Sequence, residues 1–323
     1  MPTVIRNMPE EEYHALPRLS STGIMNILED EMLFWRKSWL NKERGPDTGT
    51  EAQEVSKAYH AALLEGGSSF YERYARPFEA PQDALRTVED IRERIRTLGY
   101  VPSGSKKAEL AAQLLEIDPK AKIAFLLEEN HNKYNAGKRV IPADVYYGIG
   151  ESIINSRLDE TARRLLVGEP EVVILWDEGS VPMKARLDII GDHGITDLKV
   201  FAALGRSRQE VARREFFSRR HYIQMAIYGR ALSLAKMEGE FQNVASPFEI
   251  YLLYCLKGAN SFQALQVPVE GAACKRGLTL MYEGIATYQR MCDRYGSDWE
   301  PQSSAVIAMT DDVLPPGWQA EIF

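Results

Sequence analysis

The chain has 323 residues, of which 45% are hydrophobic and 26% charged, as is ordinary for a globular protein with a substantial core. No apolar run approaches the ~18 residues that a membrane-spanning helix needs, and the first residues lack the basic and apolar regions of a signal peptide. The net charge of −7 argues against a protein that coats nucleic acid broadly, but it permits a local basic channel. We expect one or two domains in the cytoplasm, without membrane contact.

The cysteines Cys255, Cys274 and Cys292 are odd in number and too widely spaced for a disulfide framework or a zinc knuckle. They indicate a reducing compartment. Three thiols also cannot supply the four cysteine ligands of an iron–sulfur cluster, so no such cluster is expected.

The N-terminal part of the chain predicts helices. The segment from Ser20 to Thr22 forms a capping sequence before residues with helical apolar spacing, which predicts one amphipathic helix over residues 23–40. Residues 51–66 predict a second helix with an apolar stripe. His60 lies beside that stripe, where a histidine is more often partly buried than a ligand.

Residues 86–119 predict two helices separated by a Leu-Gly-Tyr turn and a Pro-Ser-Gly-Ser loop, and the second helix starts near Lys106. Over residues 86–122, eight basic residues stand against six acidic ones, a balance of +2. Two interpretations stay open. The segment is either a DNA-binding module in which Lys106 and Lys107 reach phosphates, or a small helical insert for protein contacts.

The most informative stretch is a predicted strand pair over residues 181–200, which follows a predicted strand over residues 172–176. Glycines at 191 and 194 favour a tight turn between the two strands. Asp188 ends the first apolar run. Asp197 and Lys199 lie two residues apart on the second strand and therefore share a face. Strand pairing can bring Asp188 beside them.

These three charged residues suit a metal site. Two close carboxylates repel each other unless a cation lies between them, and oxygen ligands suit Mg²⁺ or Mn²⁺. A lysine beside the cation can position a water molecule and neutralise charge on a phosphate. The alternative is a solvated hairpin with an Asp–Lys pair, because Asp-x-Lys is common by chance.

A basic segment and a helix follow the strand pair. Residues 203–221 contain six arginines and two glutamates, a balance of +4, and arginine suits phosphate capture through bidentate hydrogen bonds. On the next helix Gln224 and Tyr228 are four residues apart and share a face. Two more strands and a long helix over residues 270–295 complete the predicted elements.

Several motifs resemble the PD-(D/E)xK nuclease superfamily and, within it, the RecE-like (exodeoxyribonuclease VIII-like) exonucleases of the RecB branch. The helix sequence SKAYHAALLEG matches G-x-x-x-H-x-x-L-x-x-G with Ser56 in the glycine position. Val200 stands where the family usually has threonine. Residues 86–119 resemble the SAP/HeH helix–extension–helix module. The residues that carry the nuclease resemblance, in the family's order, are His60, Asp188, Asp197, Lys199, Gln224 and Tyr228.

The resemblance implies an α/β protein with the PD-(D/E)xK nuclease fold, in which helices flank a central mixed β-sheet. It divides the chain into three parts. Residues 1–85 form the N-terminal helical part of the nuclease domain, residues 86–119 form a small helix–extension–helix insert, and residues 120–323 form the nuclease core with the active-site hairpin.

The resemblance also implies a role for each candidate residue. Lys199 positions the attacking water, and Glu171 and Gln224 are assigned to the catalytic site with it. The implied metal ligands are His60, Asp188, Asp197 and the carbonyl group of Leu198. The implied DNA contacts are Tyr228, Arg206, Arg208, Arg213, Arg214, Arg219, Arg220, Lys106 and Lys107.

The implied function is degradation of duplex DNA from its ends, in the 5′→3′ direction, with one or two Mg²⁺ (or Mn²⁺) ions. Such an enzyme works in phage-type recombination, in the cytoplasm of a bacterium or a phage-infected host. It forms a ring-shaped homo-oligomer beside a RecT/Redβ-like single-strand annealing protein. Two alternatives stay open. One is a nuclease of the same fold with another role (Cas4-like end trimming or restriction), and the other is a non-catalytic DNA-binding or inhibitor protein that acts through the insert.

Overall fold

The computed structural model describes residues 1–45, 49–202, 207–258 and 260–300. Its centre is a six-stranded mixed sheet, in which the fourth and fifth strands in spatial order are parallel and all other neighbouring strands are antiparallel. In spatial order the strands are β1 (Thr3–Ile5), β4 (Glu169–Glu178), β5 (Val181–Gly191), β6 (Gly194–Ala202), β7 (Glu249–Lys257) and β8 (Ser261–Val267). The predicted central mixed sheet is confirmed.

Helices cover both faces of this sheet. One face carries α2 (Ser21–Glu29), α3 (Glu31–Lys37), α11 (Arg208–Ser218), α12 (His221–Met237) and α13 (Ala272–Tyr295). The other carries α4 (Glu51–Leu63), α5 (Gly67–Arg73), α9 (Ala143–Leu158) and α10 (Glu160–Leu165). Among the described residues, no helix combines the length and the apolarity needed to cross a membrane.

Strand β7 shows why two helical layers form. Its central residues are apolar without alternation, and Leu252 packs into the core on the α12 side while Leu253 packs into the core on the α4 side. A continuous apolar run of this kind is typical of a strand that is buried on both faces. Strand β6 is not a continuous apolar run, but it also contributes to both cores, through Ile195 on the α12 side and Leu198 on the α4 side.

The predicted single helix over residues 23–40 is wrong, because the structure has two helices there, α2 and α3. Asp30 adopts an extended backbone and its side chain accepts a hydrogen bond of 2.8 Å from the Leu33 amide, so it caps the start of α3. Ser20 caps α2 by accepting from the Gly23 amide, as the sequence indicates.

A short strand at the edge of the central sheet and a separate two-stranded sheet complete the β-structure of the described residues. The short strand β1, which is followed by helix α1 (Glu10–Ala15), pairs with β4 and has no sequence signal of its own. Tyr13 of α1 packs with Met8 and Val173 in a small cluster of its own. A separate two-stranded parallel sheet joins β2 (Tyr74–Ala75) to β3 (Arg139–Val140).

Between β2 and β3 lies a helical unit with its own core. It contains α6 (Val88–Thr97), α7 (Lys107–Ile117) and the start of α8 (Ala124–Tyr134). Ile91 and Ile95 of α6 are fully buried against Leu110 and Leu114 of α7. A parallel bridge between residues 85 and 123 closes the unit at its base. The two main helices are therefore joined by an extended segment and packed on each other.

A close helix crossing gives a stability prediction. A Cβ atom on Gly277 of α13 would overlap the Tyr222 carbonyl oxygen and lie 2.6 Å from the Ala226 Cβ atom on α12. We expect Gly277→Ala to lower the free energy of unfolding by about 1–3 kcal/mol, despite the better helix propensity of alanine. Urea denaturation measures this. The control is Gly150→Ala in α9, where the nearest atom would be the Tyr71 hydroxyl at 3.5 Å, and where we expect no loss. Equal stability of the two variants would contradict the close contact between α12 and α13 at Gly277.

Candidate metal centre

The pairing between β4 and β5 is interrupted at one position, where Glu171 lies opposite Asp188. Glu171 has φ of +53°, in the left-handed region that non-glycine residues rarely occupy. The two side chains are only 19% and 12% exposed. Like charges directly opposite each other destabilise a strand pair, and more so when water is excluded. This arrangement therefore favours a cation between the two carboxylates.

Helix α4 brings His60 to the same place. Its Nε2 atom lies 3.2 Å from the Leu198 carbonyl oxygen, and because a carbonyl group only accepts, Nε2 carries a proton in this contact. The Nδ1 atom faces the carboxylates, 3.9 Å from Asp188 Oδ2 and 4.0 Å from Glu171 Oε1. Ligand atoms of these three residues all lie within 4.8 Å of one another. A metal-binding histidine commonly donates its other ring N–H to a backbone carbonyl in this way.

The electrostatics of His60 reflect these neighbours. Burial on its own lowers the pKa of the imidazole, but Asp188 and Glu171 outweigh burial and raise the pKa above its ordinary value. The two carboxylates therefore stabilise the protonated form of the His60 imidazole.

Asp188 is held in place by a strand separation. The pairing of β5 with β6 ends at Ile189 and Thr196. Beyond this point the Asp188 Oδ2 atom, rather than a backbone carbonyl, accepts the Leu198 amide hydrogen at 2.8 Å. A side-chain acceptor thus replaces the ladder hydrogen bond, and the carboxylate is fixed in the gap between the two strands.

Asp197 and Lys199 form a buried pair next to this cluster. Asp197 is fully buried, and its Oδ2 atom lies 2.6 Å from the Lys199 Nζ atom. Burial raises the pKa of Asp197, while Lys199 opposes that rise. Burial alone would lower the pKa of Lys199, but Asp197 and Asp188 outweigh it and raise the pKa. Lys199 is therefore a charged ammonium group at neutral pH.

Helix α12 is tied to this pair. The Gln224 side-chain amide donates to Asp197 Oδ1 at 3.2 Å and to the Tyr228 hydroxyl at 2.8 Å. Tyr228 itself is only 7% exposed. The predicted residues on β6 and α12 are thus brought together as one hydrogen-bonded group, in which Tyr228 orients Gln224.

Two residues of the site were not predicted from the sequence. Arg186 forms an ion pair with Glu171, and it lies two residues before Asp188, so the strand period could have identified it. His221 begins α12. Burial and the Lys199 ammonium group lower the pKa of His221 to about 4, so its imidazole is neutral at neutral pH. No sequence pattern distinguishes His221.

The donor set fits a hard divalent cation, since it consists of two facing carboxylates, one imidazole and no thiol. The structure selects Glu171 as a candidate ligand together with His60 and Asp188. It places the other two predicted ligands differently, because Asp197 contacts Lys199 and Gln224, and the Leu198 carbonyl contacts His60. Their role as ligands stays a prediction.

The cluster opens into a cleft of about 1350 Å³. His60, Glu171, Asp188 and Gln224 line its floor. Lys184 also lines the cleft, and its ammonium group donates to the carbonyl oxygens of residues 13, 14 and 16, so it anchors the end of α1. Further basic side chains on the walls are Lys37, Arg44, Lys57, Arg73, Arg139 and Arg186.

The predicted DNA contacts on α11 and the following turn are exposed. In the parts of the chain that the structure describes, Arg208, Arg213, Arg214 and Arg220 have no acidic partner. Arg219 pairs with Glu215 at 3.3 Å. Arg206, also predicted to contact DNA, lies outside the described residues.

The helical insert presents its positive charge differently. Lys107 donates to the Arg86 carbonyl oxygen at 2.7 Å and lies 5.1 Å from the centre of the Phe125 ring, while Lys106 is exposed. Three further cations are paired with carboxylates, in Arg94–Asp118, Arg96–Glu89 and Lys122–Asp83. Much of the basic charge of the insert is therefore neutralised within the insert, whereas that of α11 is not.

The mixed central sheet and its flanking helices match the fold of the PD-(D/E)xK nucleases. The family described as "PDDEXK-like domain of unknown function (DUF3799)" matches residues 117–248, which include the candidate residues on β4, β5, β6 and α12. The solved structure of a "putative exonuclease" from Eubacterium rectale is similar at 12% sequence identity, with a TM-score of 0.51 over 88% of this chain and 86% of that one. A comparison with curated proteins finds no match. These findings support the PD-(D/E)xK superfamily.

Proposed function

We propose that the protein is a metal-dependent deoxyribonuclease that degrades duplex DNA from its ends. The observation that carries this proposal is the closeness of two groups, the His60–Glu171–Asp188 cluster and the Asp197–Lys199 pair. Leu198 lies between Asp197 and Lys199 in the chain, and its amide donates to Asp188 while its carbonyl oxygen accepts from His60. The likeness to a protein described as an exonuclease and to a PDDEXK-like domain supports the same reaction class.

His60, Glu171 and Asp188 would hold the divalent metal, with Asp197 as a further candidate. One or two bound Mg²⁺ or Mn²⁺ ions would polarise the scissile phosphate and lower the pKa of a water molecule. Lys199 is charged at neutral pH, so it acts by orienting the water and balancing phosphate charge rather than as a base. Gln224 holds Asp197 in the orientation that this pairing needs.

The exposed arginines of α11 would bind the DNA backbone, because Arg208, Arg213 and Arg214 have no acidic partner among the described residues. The sequence motifs further support a RecE-like enzyme that acts 5′→3′ in phage-type recombination in the cytoplasm. They also support a ring-shaped oligomer and a single-strand annealing partner.

The test is nucleotide release from linear duplex DNA with Mg²⁺ or Mn²⁺, against EDTA and against a closed circle. We expect release from linear DNA only, and only with metal. Duplexes labelled at the 5′ or the 3′ end give the direction. Cuts in the closed circle would instead favour a restriction-type enzyme. DNA binding without cleavage under any divalent metal would favour the non-catalytic alternative.

A further inference from the structure

Phe217 is an exposed aromatic residue at the end of α11. Its side chain is 62% exposed, whereas its neighbour Phe216 is 5% exposed and packs into the core. Most of the Phe217 ring is therefore open to solvent, where another molecule can contact it.

The ring of Phe217 is held by aromatic neighbours. Its centre lies 5.0 Å from that of Phe216 in an edge-to-face contact, and 6.4 Å from that of Tyr222 on α12. The backbone is also fixed, since the Phe217 carbonyl oxygen accepts from the Arg220 amide at 3.1 Å. Arg220 has φ of +53°, which turns the chain sharply into α12. Phe217 is therefore presented on a rigid corner.

This corner is strongly basic. Over residues 208–220 there are five arginines and two glutamates, a balance of +3 in a chain whose net charge is −7. Arg213, Arg214 and Arg220 are exposed and have no acidic partner in the described chain. An aromatic face surrounded by arginines fits a nucleic-acid strand, whose bases stack on rings and whose phosphates bind guanidinium groups.

The corner is also close to the metal centre. Arg220 directly precedes α12, and Gln224 follows four residues later, about 6 Å along the helix axis. Gln224 in turn bonds Asp197. About one turn of α12 therefore separates the corner from the residue that bonds Asp197.

We propose that Phe217 is the stacking site for an unpaired nucleobase of the DNA, with Arg213, Arg214 and Arg220 binding the adjacent phosphates. The proposal rests on the proposed function for the identity of the ligand. It assigns to this protein a preference for duplex ends that carry a single-stranded extension, because bases inside a duplex are stacked on both faces, whereas bases of the extension are free to stack on the ring. Stacking of one base contributes roughly tenfold in affinity.

The experiment compares two DNA probes in EDTA, where no cleavage occurs. One is a blunt duplex, and the other carries a single-stranded extension of about four nucleotides with 2-aminopurine in it. We expect Phe217→Ala to weaken binding of the extended duplex about tenfold, to change blunt-duplex binding little, and to abolish the 2-aminopurine quenching that stacking produces. Phe217→Trp should keep both affinity and quenching.

The matched control is Met237→Ala at the opposite end of α12, where the side chain is 80% exposed and should not affect either probe. Unchanged affinity and quenching in Phe217→Ala would overturn the proposal. So would a changed monomer–oligomer equilibrium in ultracentrifugation with DNA binding intact, which would make the corner a contact between copies of this chain. Phe217-dependent stacking without cleavage in Mg²⁺ would support the stacking site and overturn the proposed function alone.

Discussion

Asp188→Asn is expected to abolish metal binding and to lower the rate of DNA cleavage by at least about 10³-fold. Asparagine keeps the oxygen that accepts the Leu198 amide hydrogen, so the local fold is preserved. It removes the charge that faces Glu171 across the β4–β5 pair. The metal-free melting temperature should stay within a few degrees of wild type, while the increase on adding Mn²⁺ should disappear.

The control for this variant is Asp192→Asn in the turn between β5 and β6. The Asp192 side chain accepts from Asn243 at 2.9 Å, and asparagine can do the same. Metal stabilisation and cleavage should both be retained. If Asp188→Asn kept the full melting-temperature increase with metal, the cluster would not be the metal site.

Metal stabilisation of the Glu171→Gln variant tests which carboxylates bind the metal together with Asp188. The sequence resemblance selects Asp197 and the Leu198 carbonyl, whereas the geometry selects Glu171. Loss of metal stabilisation in Glu171→Gln would support the cluster of His60, Glu171 and Asp188. If Glu171→Gln kept the stabilisation by metal and Asp197→Asn lost it, the result would support the ligand set that the motifs imply.

The main elements of the fold were predictable because their signals are local. The two glycines of the β5–β6 turn, the unbroken apolar run of β7 and the long stripe of α13 each predict the element that the structure shows. Strand β1 has three residues and forms only because β4 offers an unpaired edge. Tertiary pairing of that kind leaves no trace in a short segment.

The candidate site was predictable in its members but not in its contacts. Motif spacing selects His60, Asp188, Asp197 and Lys199, yet it does not reveal that β5 and β6 separate beyond Ile189 and Thr196. Where the strands separate, the Asp188 carboxylate accepts a hydrogen bond from the Leu198 amide, and Asp197 forms its ion pair with Lys199. The left-handed backbone at Glu171 is equally invisible in a sequence pattern.

The number of basic residues in a segment does not show which of them are neutralised by carboxylates. The insert and the α11 segment both contain several basic residues, and only the structure separates paired cations from unpaired ones. Arg94 and Arg96 of the insert are held by carboxylates, whereas Arg213 and Arg214 of α11 have no acidic partner among the described residues. Exposed arginines without acidic partners therefore make α11 the better candidate for a DNA-contacting surface.

Lys199→Met is expected to reduce both activity and stability, and the loss of stability should depend on pH. Removing one partner of a buried ion pair leaves an uncompensated charge, here Asp197, and costs about 3 kcal/mol. Cleavage should fall at least about 10²-fold because phosphate charge is no longer balanced. Urea denaturation in EDTA measures stability without interference from metal.

The pH dependence follows from the pKa of Asp197, which burial raises in the folded protein and which Lys199 holds down. A carboxyl group with a raised folded-state pKa contributes its full stability below its unfolded pKa, and that stability is lost as pH rises through the folded pKa. Without Lys199 the folded pKa rises further. The destabilisation by Lys199→Met should therefore be greatest at neutral pH and should shrink as pH falls towards about 4.

Two further variants separate this effect from general damage. Adding Asp197→Asn to Lys199→Met should restore stability at neutral pH, because no buried charge remains, but it should not restore cleavage. Lys57→Met removes a half-exposed ion pair with Glu10 and should cost less than about 1 kcal/mol at any pH. A destabilisation by Lys199→Met that is constant between neutral pH and about pH 4 would mean that Asp197 is not the group that Lys199 stabilises.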